Sequence, residues 1–430
     1  MPGKPWLPLL LTVLAVSAQT PTHSEADANA SPRIFALRKD VEWGRRQVLG
    51  RFWQEVRKSG APLVEPIPGD SGNSLVTFLW QGDSKTRYVV IFDGVAGFDA
   101  KDRMTHIDGT DVWYKTYKVR NDARFAYNLS PNDTLDSFDN IKNDDAMKKR
   151  LAMFRTDPLN PRRRPATFGE LSAECSYLEL GAAPPQPWNA PRADGPKGAV
   201  IATTFRSGIL KNERKLWIYT PPGYSKSGAR YPLLVLFDGD RNVKWIPAIL
   251  DNLIAQKRIP PMVAALIDNP STAARNLELP CYPPFADFLA TELVPWVREN
   301  YHGAAEAART IAAGSSYGGL AAVFAGLRHP EVFGNAISLS GSFWWKPEHS
   351  GDAEWLIQQV TASPKLPLRF YLEVGLMESY PMQIDANRRM RDVLAAKGYE
   401  TGYAEYDGGH SFVNWSGGTA NGLLFLLGSR

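Results

Sequence analysis

Residues 310 to 326 read TIAAGSSYGGLAAVFAG, and this stretch decides the fold class of the C-terminal half. An apolar run leads into Gly314, Ser316 stands between Gly314 and Gly318, and an Ala-rich amphipathic stretch follows. Glycines on either side of a serine remove the Cβ atoms that would clash in a very tight strand-to-helix turn. The G-x-S-x-G pattern therefore indicates a nucleophile elbow, although a lone match also arises by chance in ordinary Gly-rich turns.

The sequence around this turn alternates between strand-like and helix-like segments. Short apolar runs occur at 215–222, 231–240, 262–268, 310–316, 335–342, 369–375 and 402–409, and helical patterns occur at 245–257, 285–300, 318–328, 352–361, 382–397 and 416–427. This alternation predicts a mostly parallel sheet covered by helices on both faces, as in the α/β hydrolase fold. Active sites in such sheets lie at the carboxyl ends of the strands.

The N-terminal half has a different pattern. After a helical stretch at 36–60, short runs rich in β-branched and aromatic residues occur at 74–82, 87–95, 112–119 and 123–131, each bounded by turn residues. Repeated short strands of this kind predict an all-β sandwich. The segment GAAPPQPWNAPRADGPKG at 181–198 has the composition of a linker. We therefore expect a β-sandwich domain at 19–180, a linker at 181–198 and an α/β-hydrolase esterase domain at 199–430.

Residues 1–18 have the order of a secretory signal peptide: a lysine, an apolar run from Trp6 to Val16, and small residues ending at Ala18. The apolar run is shorter than the ~20 residues that a membrane-spanning helix requires, and no later segment approaches that length. The sequence thus predicts an exported, periplasmic protein without stable membrane insertion.

Charge and cysteine content narrow the possible partners. The 49 basic and 45 acidic residues leave a net charge of +4, too slight to indicate nucleic-acid binding, and the basic cluster at 160–165 reads as a solvated linker. Cys175 and Cys281 could form a disulfide in an oxidising compartment, and two buried thiols are an equal alternative. The sequence has neither a paired-histidine zinc pattern nor a dinucleotide-binding loop, so we expect no metal site and no cofactor.

A serine hydrolase of this architecture requires an acid and then a histidine, in that chain order after the nucleophile. Glu378 follows the strand-like run at 369–375, and Asp385 is the alternative acid. His410 lies in a Gly-rich loop after the last strand-like run. The predicted catalytic residues are therefore Ser316, Glu378 and His410.

The oxyanion of an acyl-transfer reaction also needs hydrogen-bond donors. The backbone N–H of the residue after the nucleophile, Tyr317, is one candidate. The second donor is expected in the loop that follows the run at 231–240, where Gly239 and Asp240 are the candidates.

Several segments resemble those of the enterochelin esterases, which hydrolyse the trilactone backbone of catecholate siderophores. In the C-terminal half these segments are LFDGDRNVKW, RNLELPCYPPFADFLATELVPWV, AGSSYGGLAAVFAGLRHPEVFG, SLSGSFWWKP, LEVGLMES and DGGHSFVNWSGG. VTFLWQG and TDPLNPRRRP resemble the all-β domain of that family. The resemblance implies a Ser/His hydrolase with Ser316 and His410 in the matching positions and Glu378 as its acidic member, and iron that enters only as part of the substrate.

A ferric tris-catecholate is aromatic and anionic, so tryptophans and cations near the strand ends are expected to bind it. These residues are Arg275, Arg241, Lys244, Trp245, Trp345 and Trp415. Core packing is an equal alternative for Trp345 and Trp415, and an ion pair with Glu278 is the alternative for Arg275.

Two other functions compete with the siderophore esterase. An exported carbohydrate esterase of the feruloyl type would share the fold, the export signal and a preference for aromatic acids. A siderophore-binding protein without catalysis is disfavoured, because Ser316, Glu378 and His410 are all present. The sequence leaves open which siderophore is cut and whether the protein forms oligomers.

Overall fold

A computed structural model describes residues 31–97, 102–135, 144–164, 174–348, 350–351, 353–378 and 381–428. The predicted signal peptide at 1–18 lies outside these residues. Within the described part of the chain, no helix is both long and apolar enough to cross a membrane.

The described residues of the N-terminal region form three helices and eight strands. The helices are α1 (Pro32–Glu42), α2 (Val48–Ser59) and α3 (Asp144–Leu151). The strands are β1 (Leu63–Ile67), β2 (Asp70–Gln81), β3 (Val89–Phe92), β4 (Thr105–His106), β5 (Val112–Arg120), β6 (Arg124–Pro131), β7 (Arg163–Arg164) and β8 (Cys175–Glu179).

These strands form two four-stranded sheets, in the orders β1-β2-β5-β4 and β3-β6-β8-β7. All the strand pairs are antiparallel. Side chains of both sheets meet in one apolar cluster, with Phe78 and Val119 from the first sheet against Ile91, Phe125 and Leu178 from the second. The predicted β-sandwich is confirmed, because each sheet buries one face against the other.

In the C-terminal region, the part of the chain that the structure describes forms eight further strands and nine helices. The strands are β9 (Ala199–Arg206), β10 (Glu213–Thr220), β11 (Leu233–Leu236), β12 (Val263–Ile267), β13 (Thr310–Ser315), β14 (Asn335–Leu339), β15 (Arg369–Gly375) and β16 (Glu400–Tyr406). The helices are α4 (Gly239–Asn242), α5 (Ile246–Ala255), α6 (Thr272–Glu278), α7 (Pro283–Phe288), α8 (Val294–Asn300), α9 (Tyr317–Arg328), α10 (Trp355–Ala362), α11 (Pro381–Ala396) and α12 (Phe412–Leu427). A π-helical turn, Leu289–Leu293, joins α7 to α8.

The eight strands form one sheet in the order β16-β15-β14-β13-β11-β12-β10-β9. The six strands from β16 to β12 pair in parallel, whereas β10 is antiparallel to both β12 and β9. The carboxyl ends of the parallel strands therefore share one edge, where a ligand site is expected. This is the predicted α/β hydrolase sheet.

Alternate residues of each central strand face opposite layers of helices. In β11, Leu233 and Val235 pack in the cluster that contains α7 to α11, while Leu234 and Leu236 pack in the cluster that contains α5 and α12. All four side chains are almost fully buried. A strand that is apolar on both faces is typical of a parallel sheet covered on both sides.

Several details differ from the sequence expectations. The helical stretch predicted at 36–60 forms two helices, α1 and α2, and helix α4 and strands β1, β4, β7, β8 and β9 were not predicted. Helix α12 begins at Phe412, four residues before the predicted start, because the Ser411 side chain caps it by accepting a hydrogen bond from the Val413 N–H. Helix α6 was not predicted. Cys175 and Cys281 are buried thiols in different apolar clusters and form no disulfide with each other.

Candidate active site

Ser316 lies in a tight turn between β13 and α9. Its backbone has φ 58° and ψ −124°, a region that a residue with a Cβ adopts only at a cost of about 1–3 kcal/mol. The turn is held by hydrogen bonds from the Ser316 N–H to the Leu339 carbonyl and from the Ser342 N–H to the Ser316 carbonyl. The structure thus has the geometry of the predicted elbow, and Ser316 is the residue at its apex.

The glycines around Ser316 do not contribute equally. A methyl group at Gly314 would lie 2.6 Å from the Gly318 carbonyl carbon, and one at Gly319 would lie 2.6 Å from Ser338 Oγ. A methyl group at Gly318 would meet nothing closer than 3.6 Å. The turn therefore requires glycine at 314 and 319, whereas position 318 has room for a methyl group.

His410 and Glu378 are paired at the same edge of the sheet. The Nδ1 atom of His410 lies 2.7 Å from Glu378 Oε2. The two residues follow the neighbouring parallel strands β16 and β15, so their loops lie side by side. The Glu378 side chain is only 2% exposed, and that of His410 is 17% exposed. A carboxylate at Nδ1 fixes the imidazole so that Nε2 is available as the proton acceptor. Asp385, the alternative acid, is exposed on α11.

The ring of Trp415 packs against the imidazole of His410. Its ring lies 4.6 Å from the imidazole, with an angle of 85° between the planes. Its indole N–H donates to Ser340 Oγ at 3.1 Å. Trp415 is only 3% exposed. The structure therefore puts Trp415 in the core, the alternative to its predicted role as a substrate-binding surface, and gives it a contact with His410.

Ser342 is a neighbour of the elbow that the sequence did not indicate. Its Oγ lies 3.4 Å from Ser316 Oγ, long for a hydrogen bond between hydroxyls, so the contact holds the Ser316 side chain only weakly. The segment SLSGS, residues 338–342, contains the end of β14 and the residues after it, and β14 pairs with β13, the strand that precedes Ser316. A serine at this strand end could have been suspected near Ser316 if the strand order had been known. Strand order is not visible in the sequence, however.

The two expected oxyanion donors both lie at helix starts. Tyr317 is the first residue of α9, and Gly239 and Asp240 are the first two residues of α4. Backbone N–H groups in the first turn of a helix have no intrahelical acceptor. A methyl group at Gly239 would lie 2.6 Å from the Leu266 carbonyl carbon, so glycine is required where this loop crosses β12.

Asp238 anchors the loop that carries Gly239. It has φ 53° and is 3% exposed. Arg275 donates to it twice, Nε to Oδ1 at 2.7 Å and Nη2 to Oδ2 at 2.9 Å, and Asn269 donates at 2.7 Å. Burial acts to raise the pKa of Asp238, but the charge and hydrogen bonds of Arg275 outweigh it and the pKa is lowered.

Arg275 therefore has a different partner from the one expected in its alternative role. Glu278 forms a buried ion pair with Arg214 at 3.0 Å instead. With two of its nitrogens on Asp238, Arg275 braces the loop of the candidate oxyanion donors, although its side chain remains 22% exposed.

The other predicted binding residues lie in or near the same edge. Arg241 is half-buried, with its guanidinium 5.9 Å from the Phe412 ring. Lys244 is exposed. Trp245 is half-buried and is covered by the guanidinium of Arg164 from the N-terminal domain at 4.8 Å.

Trp345 is half-buried and packs edge-on against Trp355 at 6.3 Å. Its backbone N–H donates to the Ser342 carbonyl at 3.0 Å. Trp345 is thus bonded to Ser342, which lies next to Ser316, and part of its side chain remains exposed. Within the described ranges, no group of three or more His, Cys, Asp or Glu side chains is arranged to hold a metal ion.

The parallel sheet, the elbow at its carboxyl edge and the His–Glu pair at the same edge define an α/β hydrolase. Two family models match: "Putative esterase" over residues 207–425 and "Enterochelin esterase, N-terminal" over residues 75–189. The iron(III) enterobactin esterase of Escherichia coli O6:H1 is 34% identical over 82% of this chain and 90% of its own length. The chain belongs to the enterobactin esterase family.

Solved structures agree with this assignment. The enterobactin esterase of Shigella flexneri, determined in the presence of enterobactin, has 32% identity and a TM-score of 0.70, with 85% of this chain and 95% of that chain covered. The ferric enterobactin esterase of Salmonella typhimurium has 30% identity and a TM-score of 0.72, with 85% and 96% covered. Both domains are thus included in the similarity.

The similarity to a feruloyl-type esterase is more distant. The endo-1,4-beta-xylanase/feruloyl esterase of Xylanibacter ruminicola is 27% identical over 54% of this chain and 31% of its own length. That match covers too little of the chain to include both domains.

Proposed function

We propose that this protein is a serine esterase that hydrolyses the ester bonds of ferric enterobactin-like catecholate siderophores and so helps to release iron. The observation that carries the proposal is the 2.7 Å contact between His410 and Glu378, beside the Ser316 elbow at one sheet edge. The substrate class is supported by the similarity, over both domains, to enterobactin esterases.

The proposed reaction proceeds through an acyl-enzyme. His410 Nε2 accepts the proton of Ser316 Oγ as that oxygen bonds to the ester carbonyl carbon. The C–O bond to the leaving alcohol then breaks, and the alcohol takes the proton from His410. A water molecule, deprotonated by the same nitrogen, attacks the acyl carbon and returns Ser316 to its hydroxyl form. Glu378 keeps the imidazole oriented and stabilises its cationic form.

The N–H of Tyr317 and that of Gly239 or Asp240 would donate to the tetrahedral oxyanion. Their positions at helix starts leave these donors without intrahelical acceptors. Donors fixed in advance act strongly because they need no reorganisation when charge develops. In this proposal Arg275 acts by holding the loop of Gly239 through Asp238.

Substrate binding would use the cations and rings at the sheet edge. Arg241, Lys244 and Trp245 follow β11 directly and offer a positive, partly aromatic surface to an anionic tris-catecholate. Trp345 adds a second partly exposed ring. The Ser–His–Glu chemistry needs no resident cofactor, so we propose that iron enters only with the substrate.

We also propose that the protein is exported to the periplasm and that its mature form begins near Gln19. The support is the order of charged, apolar and small residues at 1–18. Cell fractionation combined with N-terminal sequencing tests this. Cytosolic protein with an intact Met1 would contradict it.

The substrate proposal is tested by chromatography of products from ferric enterobactin and from a feruloylated sugar, with wild-type protein and with Ser316→Ala as the matched control. Release of dihydroxybenzoylserine products by the wild-type protein alone is the expected result. Cleavage of the sugar but not of the siderophore would overturn the substrate and favour the carbohydrate esterase.

A further inference from the structure

The loops that carry Glu378 and His410 are pressed against the N-terminal domain. Met377, next to Glu378, packs against the apolar cluster of the β-sandwich. The Arg124 N–H donates to the Asp407 carbonyl at 2.9 Å, and Asn414 Nδ2 donates to the Arg124 carbonyl at 2.9 Å. The histidine loop is thus bounded on both sides by contacts with the other domain.

Asp93 lies beside Gly409, the residue that precedes His410. It follows β3, is 8% exposed, and its Oδ1 accepts the Gly94 N–H at 2.7 Å. A methyl group at Gly409 would lie 3.3 Å from this same oxygen and 3.7 Å from the Gly94 Cα. The Asp93–Gly94 turn therefore packs directly on the residue that precedes the histidine.

The backbone of Asp93 is unusual in a way that fits this position. Its φ is 74°, where an aspartate is strained and a glycine is not. The Asp93 N–H donates to the Gly97 carbonyl at 2.7 Å, so the turn is fixed from both ends. A turn held this firmly presents the carboxyl to the histidine loop in one orientation.

The electrostatic surroundings of Asp93 include the predicted acid and base. Burial raises the pKa of Asp93 to about 7; the hydrogen bond from Gly94 and the charge of His410 oppose this, and the charge of Glu378 reinforces it. Within its own domain, Asp93 also faces the Cys175 thiol. His410, Glu378 and Cys175 are the titratable groups that face it.

We propose that Asp93 is a positioning residue for His410, so that the N-terminal domain completes the active site of the C-terminal domain. Its carboxyl holds the Asp93–Gly94 turn against Gly409 and places a second acidic group beside the Glu378–His410 pair. The inference rests on the proposed role of His410 as the base, because Asp93 acts only through that residue.

The test uses Asp93→Ala and Asp93→Asn in the full chain, with ferric enterobactin and with p-nitrophenyl acetate. Asp93→Ala removes the acceptor for the Gly94 N–H, and we expect kcat to fall by about tenfold or more on both substrates with KM within about twofold. Asp93→Asn keeps an acceptor oxygen and should recover most of the kcat that alanine loses.

The pH dependence of kcat/KM distinguishes the proposed role from a purely structural one, because loss of a structural contact would not shift it. Because burial raises the pKa of Asp93 to about 7, its carboxyl carries only part of a negative charge near neutral pH. A negative neighbour favours the protonated imidazole, so in Asp93→Asn the acid limb of the kcat/KM profile should shift to lower pH by about 0.2–0.4 unit. The matched control is Asp157→Asn. Asp157 is a buried carboxyl of the same domain that accepts from Tyr127 and Leu159, and burial raises its pKa as well. Its replacement should leave the limb in place.

An unshifted limb in Asp93→Asn would overturn the proposal, as would equal shifts in both asparagine variants. If Asp93→Ala folds, its kcat within twofold of wild type on both substrates would also overturn it; if Asp93→Ala does not fold, the profile of Asp93→Asn decides. Turnover of p-nitrophenyl acetate without turnover of ferric enterobactin would instead remove the proposed substrate and leave the comparison of the Asp93 variants intact.

Discussion

The Ser316 loop and the His410 loop lie at the same sheet edge, but they are held by different parts of the molecule. The Ser316 turn is bonded to Leu339 and Ser342, which belong to its own domain. The His410 loop instead contacts Arg124 and Asp93 of the N-terminal domain. Ser316 is thus held by hydrogen bonds within the α/β-hydrolase domain, whereas the loop of His410 is packed against the other domain.

The difference explains how the active-site geometry of an α/β hydrolase can depend on a second domain. Most of the elbow geometry comes from glycines that allow close backbone contacts within the sheet. The loops of Glu378 and His410 bury their outer sides against the β-sandwich, which excludes water from the carboxylate. Substitutions in the Ser316 turn should affect the reaction directly. Substitutions where the Glu378 and His410 loops pack against the β-sandwich should act through the orientation of His410.

The largest expected effect comes from removing either reacting side chain. Ser316→Ala and His410→Ala should each lower kcat by at least about 10³, because the nucleophile and its base act as one unit. Binding of ferric enterobactin, followed by quenching of tryptophan fluorescence, should stay within a few-fold of wild type. Near-normal turnover by either variant would refute the assignment.

Glu378→Ala should have a smaller effect, a loss of about 10- to 100-fold in kcat, because Trp415 and the domain contacts still hold the histidine. Steady-state kinetics of this variant measure how much of the orientation of His410 depends on its carboxylate and how much on packing. A wild-type rate would leave Ser316 and His410 acting as a dyad.

Arg275→Gln tests the loop of Gly239 and Asp240, which carries candidate oxyanion donors at the same sheet edge as Ser316. Loss of the two hydrogen bonds to Asp238 should lower kcat by about tenfold, and by the same factor for ferric enterobactin and for p-nitrophenyl acetate. Arg328→Gln is the matched control, since Arg328 makes a similar two-bond pair with Asp287 on the surface. A rise in KM confined to the siderophore would return Arg275 to a substrate-binding role.

The sequence predicted the candidate residues of the α/β-hydrolase domain better than their contacts with the β-sandwich domain. Ser316, Glu378 and His410 could be proposed because each follows a strand-like run and their chain order is that of a hydrolase. Asp93 could not be found in this way, because it lies more than 300 residues before Gly409 and meets it only in the folded protein.

Arg275 shows a second limit of sequence reasoning. The three-residue spacing to Glu278 offered a local pair as the alternative to substrate binding, but Arg214 from β10 occupies that carboxylate, and Arg275 turns to Asp238. The choice between a local and a distant partner is made by strand order, which no spacing rule contains. The parallel strands β11 to β16 were predicted well, because apolar runs bounded by turn residues are strong signals.

The smallest expected effect is on stability and separates the roles of two glycines. Gly314→Ala should lower the free energy of unfolding by about 1–3 kcal/mol, because its methyl group would lie 2.6 Å from the Gly318 backbone and the strand cannot move aside. Gly318→Ala should raise it by about 0.5–1 kcal/mol, since an alanine in the first turn of α9 loses less backbone entropy on folding and would meet nothing closer than 3.6 Å.

Urea unfolding of the two variants, followed by tryptophan fluorescence, measures the difference. Opposite signs would show that the elbow is limited by the approach of Gly314 to the helix start and not by side-chain room at position 318. If both variants lost stability equally, the turn would be constrained at position 318 as well, and the elbow would depend on more than the contacts between β13 and α9.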